Sequence, residues 1–124
     1  MKFCIYQINL DRDTDRVAFE GIENLQRYHG TTEIRSDLYD KVYEGNIDCS
    51  SLEDLFRIFN IDHPADYPSR SMSVSDIVEI QDNGGRGKEP GFYFCDSIGF
   101  KKVDFQPEIA GQQEINPAMH MTGY

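Results

Sequence analysis

A ten-residue stretch beginning at Ser50 narrows the choice of folds most, because it is patterned as a helix yet too short to be stable alone. Ser50-Ser51-Leu52-Glu53 has the spacing of a capping box, and Leu52, Leu55, Phe56 and Phe59 follow at i, i+3, i+4 and i+7. This predicts a helix over 51–59 with one apolar stripe. Isolated helices of this length are marginal in water, so the stripe must be buried against another element.

The rest of the chain supplies that element as strands. Residues 2–9 alternate Phe3, Ile5 and Gln7 with Cys4, Tyr6 and Ile8, the period of a strand covered on both faces. Leu38–Glu44 sets Tyr39 and Tyr43 against Leu38 and Val42, predicting a second strand with the tyrosines on one side. Met72, Val74, Val78 and Ile80 share one strand phase; Phe92, Phe94, Ile98 and Phe100 share another, across the Gly-rich connection DNGGRGKEPG. These two read as a hairpin with a long, mobile loop. Phe19, Ile22, Leu25 and Gln26 recur at helical spacing before Gly30, predicting a first helix near 19–28. The expected fold is therefore α+β: a small mixed or antiparallel sheet of four to five short strands with two helices packed on it. A chain of 124 residues has room for one such domain, here taken as 1–105, with QPEIAGQQEINPAMHMTGY at 106–124 as a flexible tail.

Charge bears on function. The net charge of -10 opposes phosphate neutralisation, so direct nucleic-acid binding is not expected; the acidity leaves open a basic protein partner or mimicry of nucleic acid, beside the simpler reading of a solubilising surface. Cys4, Cys49 and Cys95 are odd in number and widely spaced, unlike a secreted disulfide framework, which predicts reduced thiols in the cytoplasm. MKFCIYQINL is too short and polar for an export signal, and no apolar run of about eighteen residues suits a membrane span.

Four clusters carry candidate chemistry. Asp76 and Asp96 each interrupt an apolar phase; if the hairpin closes about Arg86 they face one another, an arrangement that requires a shared proton or an intervening cation. The simpler reading makes Ser75-Asp76 a turn before a strand beginning at Ile77, with Asp96 at a similar bend. In NIDHPADYP at 60–68, Asp62, His63, Asp66 and Tyr67 crowd a loop stiffened by Pro64 and Pro68, more in the manner of a turn than of a catalytic spacing. Cys49, Cys95, His29 and His63 have the atom types for zinc but no C-x-x-C-like pair, so no metal is expected. GGRGKEPG at 84–91 lacks the order of a phosphate loop and the helix start that should follow it, and no cofactor is implied.

LFRIFNIDHPADYPSRSMSVSDIVEI at 55–80, GFYFCDSIGFKKVDF at 91–105 and the opening FCIYQINLDRDTDRVAFEGIENLQ at 3–26 resemble the YodL-like domain. FNIDHPADY and SMSVSDIV, in that order and spacing, carry most of the resemblance, which covers about residues 1–105. It implies a bacterial domain, frequent in Firmicutes and found in accessory proteins of mobile elements, with no assigned enzymatic activity. The Gly-rich loop at 82–91 and the tail depart from the family pattern. The reading that follows is a non-enzymatic interaction or adaptor module presenting Asp62, His63, Asp66, Tyr67, Asp76 and Asp96 to a protein partner. Two alternatives stand beside it: an acidic DNA mimic that inhibits a host restriction or defence protein, and a small hydrolase using Asp76, Asp96 and His63.

Overall fold

The structure, a computed structural model, describes residues 1–112. One six-stranded mixed sheet runs in the order β5-β4-β3-β1-β2-β6, from β1 (Lys2–Ile8), β2 (Tyr39–Asn46), β3 (Ile77–Asp82), β4 (Gly91–Cys95), β5 (Phe100–Val103) and β6 (Gly111–Gln112). All neighbours pair antiparallel except β2 and β6, which are parallel. Helix α1 (Ile22–His29) and helix α2 (Leu52–Ile61) cover opposite faces.

Alternation along β1 sets up these two faces. Phe3 and Ile5 join Val78, Ile80 and the α2 stripe of Leu52, Leu55 and Phe59 in one core, whereas Cys4, Tyr6 and Ile8 join Ile77, Phe94 and Leu25 of α1 in the other. The helix expected at 51–59 is present and packs its stripe as its spacing requires, with Phe56 half-buried. Its cap sits one residue later than the capping box placed it: Ser51 Oγ accepts the Asp54 N–H at 3.0 Å.

Elsewhere the structure corrects the expected boundaries. Val42 is the extra residue of a bulge, because Ile5 pairs with Tyr43 while Tyr6 pairs with Lys41. The bulge flips the strand phase, so Tyr39 lies in the α1 core and Tyr43 packs on the α2 core, not on one side as strict alternation predicts. Residues 73–76 form a turn, closed by the Asp76 N–H on the Ser73 carbonyl, and the strand begins at Ile77. The segment 91–100 breaks at a turn over 96–99, which yields two strands and leaves Ile98 86% exposed. Helix α1 starts at Ile22 because Phe19 takes a left-handed φ of 69°, and it ends, as expected, at a left-handed Gly30.

The strand count exceeds expectation for a second reason. Beyond β5 the chain crosses the α1 face to the far edge of the sheet, anchored by Phe105, whose ring centroid lies 4.8 Å from Tyr6 and 5.4 Å from Tyr39. Residues 107–109 form one 3-10 turn, and 111–112 pair beside β2 as β6. The expected tail thus has structure over 106–112; its remainder, 113–124, lies outside the described residues.

Candidate functional site

Loop 60–68 is held from below. Helix α2 ends where the Asp62 N–H donates to the Ile58 carbonyl, and Pro64 turns the chain so that the Tyr67 N–H reaches the Pro64 carbonyl at 3.0 Å. Tyr67 then points inward: 5% exposed, it stacks edge-on against Phe59 at 4.8 Å and Tyr43 at 5.5 Å, and its hydroxyl donates to the Arg70 carbonyl at 2.7 Å. Burial raises the Tyr67 phenol above its ordinary range, so it stays a neutral donor. A second tie runs from the Tyr43 hydroxyl to Asp66 Oδ1 at 3.0 Å; burial and then this bond raise Tyr43 as well. Asp62, His63 and Asp66 face solvent, with the His63 ring resting 5.4 Å from Tyr67. Ile61, at the helix end, is 78% exposed.

Beside this loop lies a buried polar cluster. Asp76 has no exposed surface; its Oδ2 accepts the Gln7 amide N–H at 2.9 Å and the Ser73 backbone N–H at 2.9 Å, while Oδ1 has no hydrogen-bond partner among the described residues. Burial pushes the Asp76 carboxyl up to about 7, and the bonds from Gln7 and Ser73 and the charge of Arg70 only partly offset it. Gln7 also donates to the Arg70 carbonyl at 3.1 Å and accepts from the Ser69 hydroxyl at 2.6 Å, tying β1 to the chain leaving loop 60–68. Next to Asp76, Ser75 takes a left-handed φ of 83°. Three bonds fix it: its N–H donates to the Cys95 carbonyl, its carbonyl accepts the Tyr39 hydroxyl at 2.7 Å, and its Oγ accepts the Phe19 N–H at 2.9 Å.

Asp96 serves a different element. Its Oδ1 accepts the Ile22 N–H at 3.0 Å and the Ser97 N–H at 2.8 Å, so a carboxylate from the β4–β5 turn caps α1. The cap requires glycine at 21, where an added Cβ would lie 2.7 Å from that same oxygen. Asp96→Ala is expected to cost about 1 kcal/mol through the lost cap, read as a lower denaturant midpoint with unchanged slope. An unchanged midpoint removes the capping role.

The facing pair of carboxylates, the less favoured of the two readings, is therefore not present. Ile77 pairs with Phe94 and the Cys95 N–H donates to the Asp76 carbonyl, which sets Asp76 opposite Cys95 and one residue out of step with Asp96. The turn reading of Ser75-Asp76 and the bend at Asp96 describe both residues as found. Among the described residues no hydrogen bond or ring contact joins any two of Asp76, Asp96 and His63: Asp76 is bound by Gln7 and Ser73, Asp96 by Ile22 and Ser97, and His63 rests beside Tyr67. Asp62, His63, Asp66 and Tyr67 do come together, in one loop. Cys4, Cys49 and Cys95 are buried and free, and no group of three or more His, Cys, Asp or Glu among the described residues is placed to hold a metal ion. Sequence reasoning passed over Gln7 and Arg70 as site residues, although a glutamine in phase with Phe3 and Ile5 was the visible signal of a polar group under the sheet.

The sequence model of the YodL-like domain matches residues 2–105, most of the chain and all five antiparallel strands. The chain belongs to the YodL-like domain family. No curated protein and no solved structure matches it. In this YodL-like domain the two segments that carried the resemblance, FNIDHPADY and SMSVSDIV, are those that build the stiffened loop and the Asp76 turn. No helix among the described residues is long and apolar enough to cross a membrane.

Proposed function

We propose that this YodL-like domain is a non-enzymatic protein-interaction module, an adaptor of an accessory bacterial protein of the kind carried by mobile elements, and that loop 60–68 is its contact surface. The observation that carries the reading is Ile61, an aliphatic side chain left 78% exposed at the mouth of a loop whose base is fixed by Tyr67 and Tyr43. An apolar anchor on a backbone already ordered loses little entropy on binding, which is what an interface hot spot requires. Asp62 and Asp66 beside it give the rim a negative sign that suits a basic partner. The DNA-mimic alternative needs an unbroken acidic face. Cations instead interrupt the acids around the surface, as in Arg12 with Asp40, Arg35 with Asp37, Arg57 with Asp54 and Lys102 with Glu89.

Affinity capture from a bacterial host tests the proposal, comparing the wild type with Ile61→Gln/His63→Ala and with a Lys88→Ala control in the Gly-rich loop. Such exposed substitutions leave stability within about 0.5 kcal/mol. A partner retained by the wild type and the control but reduced about tenfold or more in the double variant supports the reading. A partner held equally by all three places the contact elsewhere.

A further inference from the structure

Between α1 and the sheet lies a cavity of about 170 Å³ that the loop 60–68 reading does not use. Its floor is made of Ile8, Leu25, Tyr39, Ser75 and Phe94, all buried. The side-chain oxygens of that floor each make a bond within the protein: the Tyr39 hydroxyl donates to the Ser75 carbonyl and Ser75 Oγ accepts the Phe19 N–H, so little polar capacity is left there. A guest reaching the floor must therefore present an apolar end, because a polar one would lose its hydration without replacement. An apolar cavity of about 150 Å³ holds a benzene ring, so the volume suits one six-membered ring or a branched aliphatic group.

The mouth has the opposite character. Asp15, His29, Thr31, Glu33 and Arg35 line it, all exposed. Arg35 is committed sideways, its guanidinium forking onto Asp37 through bonds of 3.2 and 3.1 Å, with Asp15 at 3.8 Å. The bond to Asp37, then the charges of Asp37, Asp15 and Glu33, raise Arg35 above its ordinary range, the mark of a guanidinium in a negative field. Arg35 is held most closely by Asp37, to which Arg12 also lends its charge, and reaches Asp15 only at 3.8 Å, while Glu33 makes no ion pair among the described residues; the rim therefore keeps negative charge to offer at Asp15 and Glu33. Thr31, whose Oγ1 accepts the Glu33 N–H at 3.0 Å, is uncharged and brings no countercharge to them.

We propose that this cavity binds a small aromatic or branched-aliphatic amine, with the ring on the Leu25–Phe94 floor and the ammonium at the rim between Asp15 and Glu33. The left-handed Ser75 backbone belongs to the same design, because its carbonyl is the acceptor that satisfies the Tyr39 hydroxyl at the cavity floor.

Titration of the isotope-labelled chain, followed by two-dimensional amide NMR, tests this with three probes of one shape: phenethylamine, 2-phenylethanol and 3-phenylpropionate. Phenethylamine is expected to shift the amides of Leu25, Tyr39, Ser75 and Phe94, to bind more tightly than the alcohol, and to bind far more tightly than the carboxylate. Asp15→Asn/Glu33→Gln should weaken the amine about threefold to tenfold while leaving the alcohol unchanged, the size expected for two exposed ion pairs. Val17→Phe, which fills the half-buried wall, should abolish binding of both; if that variant does not fold, the rim variant decides. Shifts confined to residues away from the cavity overturn the proposal. So does equal binding of amine and carboxylate, or an amine affinity indifferent to the rim variant.

Discussion

Replacing Asp76 with Asn is expected to stabilise the domain at pH 8 by about 2–4 kcal/mol and to remove a loss of stability that the wild type suffers between about pH 4 and pH 7. Burial holds the Asp76 carboxyl up to about 7, far above the value an exposed aspartate has in the unfolded chain. Between those two values the folded state keeps a proton that the unfolded state has released. Stability then falls as pH rises through this window, by up to about 1.4 kcal/mol per unit, and levels off once both states are ionised. Below the window both states are protonated and the group contributes nothing. Asn removes the charge and keeps the acceptor: its carbonyl replaces Oδ2 for the Gln7 amide and the Ser73 N–H, while its amide takes the unpartnered place of Oδ1, a cost that offsets part of the gain. Exposed carboxylates lowered by their partners, Asp37 by Arg35 and Glu89 by Lys102, tilt the curve the other way. They are common to both proteins, so the difference between two denaturation series isolates Asp76. Parallel curves from pH 4 to pH 8 would show that the buried carboxyl is not titrating as described.

How far this architecture could be read beforehand follows from what each signal depends on. Period-two alternation in β1 and the stripe on α2 are consequences of burial and survive any rearrangement of neighbours, so the two faces of the sheet and the helix at 52–61 were legible. The bulge at Val42 was not, because one inserted residue changes no composition and little of the local pattern, yet it moves Tyr43 to the other core. The break between β4 and β5 showed only as Asp96 interrupting an apolar phase that resumes at Ile98 and Phe100; a glycine at 99 with φ 70° and the Asp96 cap on α1 decide it, and the cap spans 74 residues. At the site, Pro64 and Pro68 announced a stiff loop, and Ser75-Asp76 announced a turn. What no local pattern encodes is that β1 delivers Gln7 to Asp76 and Arg70, since the Gln7–Asp76 bond joins residues 69 apart.

Phe59→Ala should cost about 3–5 kcal/mol, a large share of the total stability of a domain this size. Phe59 has no exposed surface, and its ring is boxed edge-on by Phe3 at 5.7 Å, Tyr43 at 5.4 Å and Tyr67 at 4.8 Å, so truncation opens a void with three aromatic walls. The more informative variant is Phe59→Leu, which keeps most of the apolar volume but loses the edge-on pairs, each contributing about 0.5–1.5 kcal/mol beyond burial. Its effect should be lopsided. Tyr67 depends on Phe59 for a wall, the Met72 N–H donates to the Phe59 carbonyl, and His63 leans on Tyr67, so the loosening is directed at 62–72. The β1–β2 and β1–β3 pairings are backbone ladders that continue past Phe3 and Tyr43 and should hold. Native-state hydrogen exchange reads the distinction: faster exchange at the Tyr67 and Met72 amides, beyond the change at Ile5 and Val78, ties the order of the contact loop to this one ring. A uniform acceleration across the sheet and the loop would mean that Phe59 holds the core but not the loop, and that Ile61 and His63 owe their fixed position to Tyr43 and Asp66 instead.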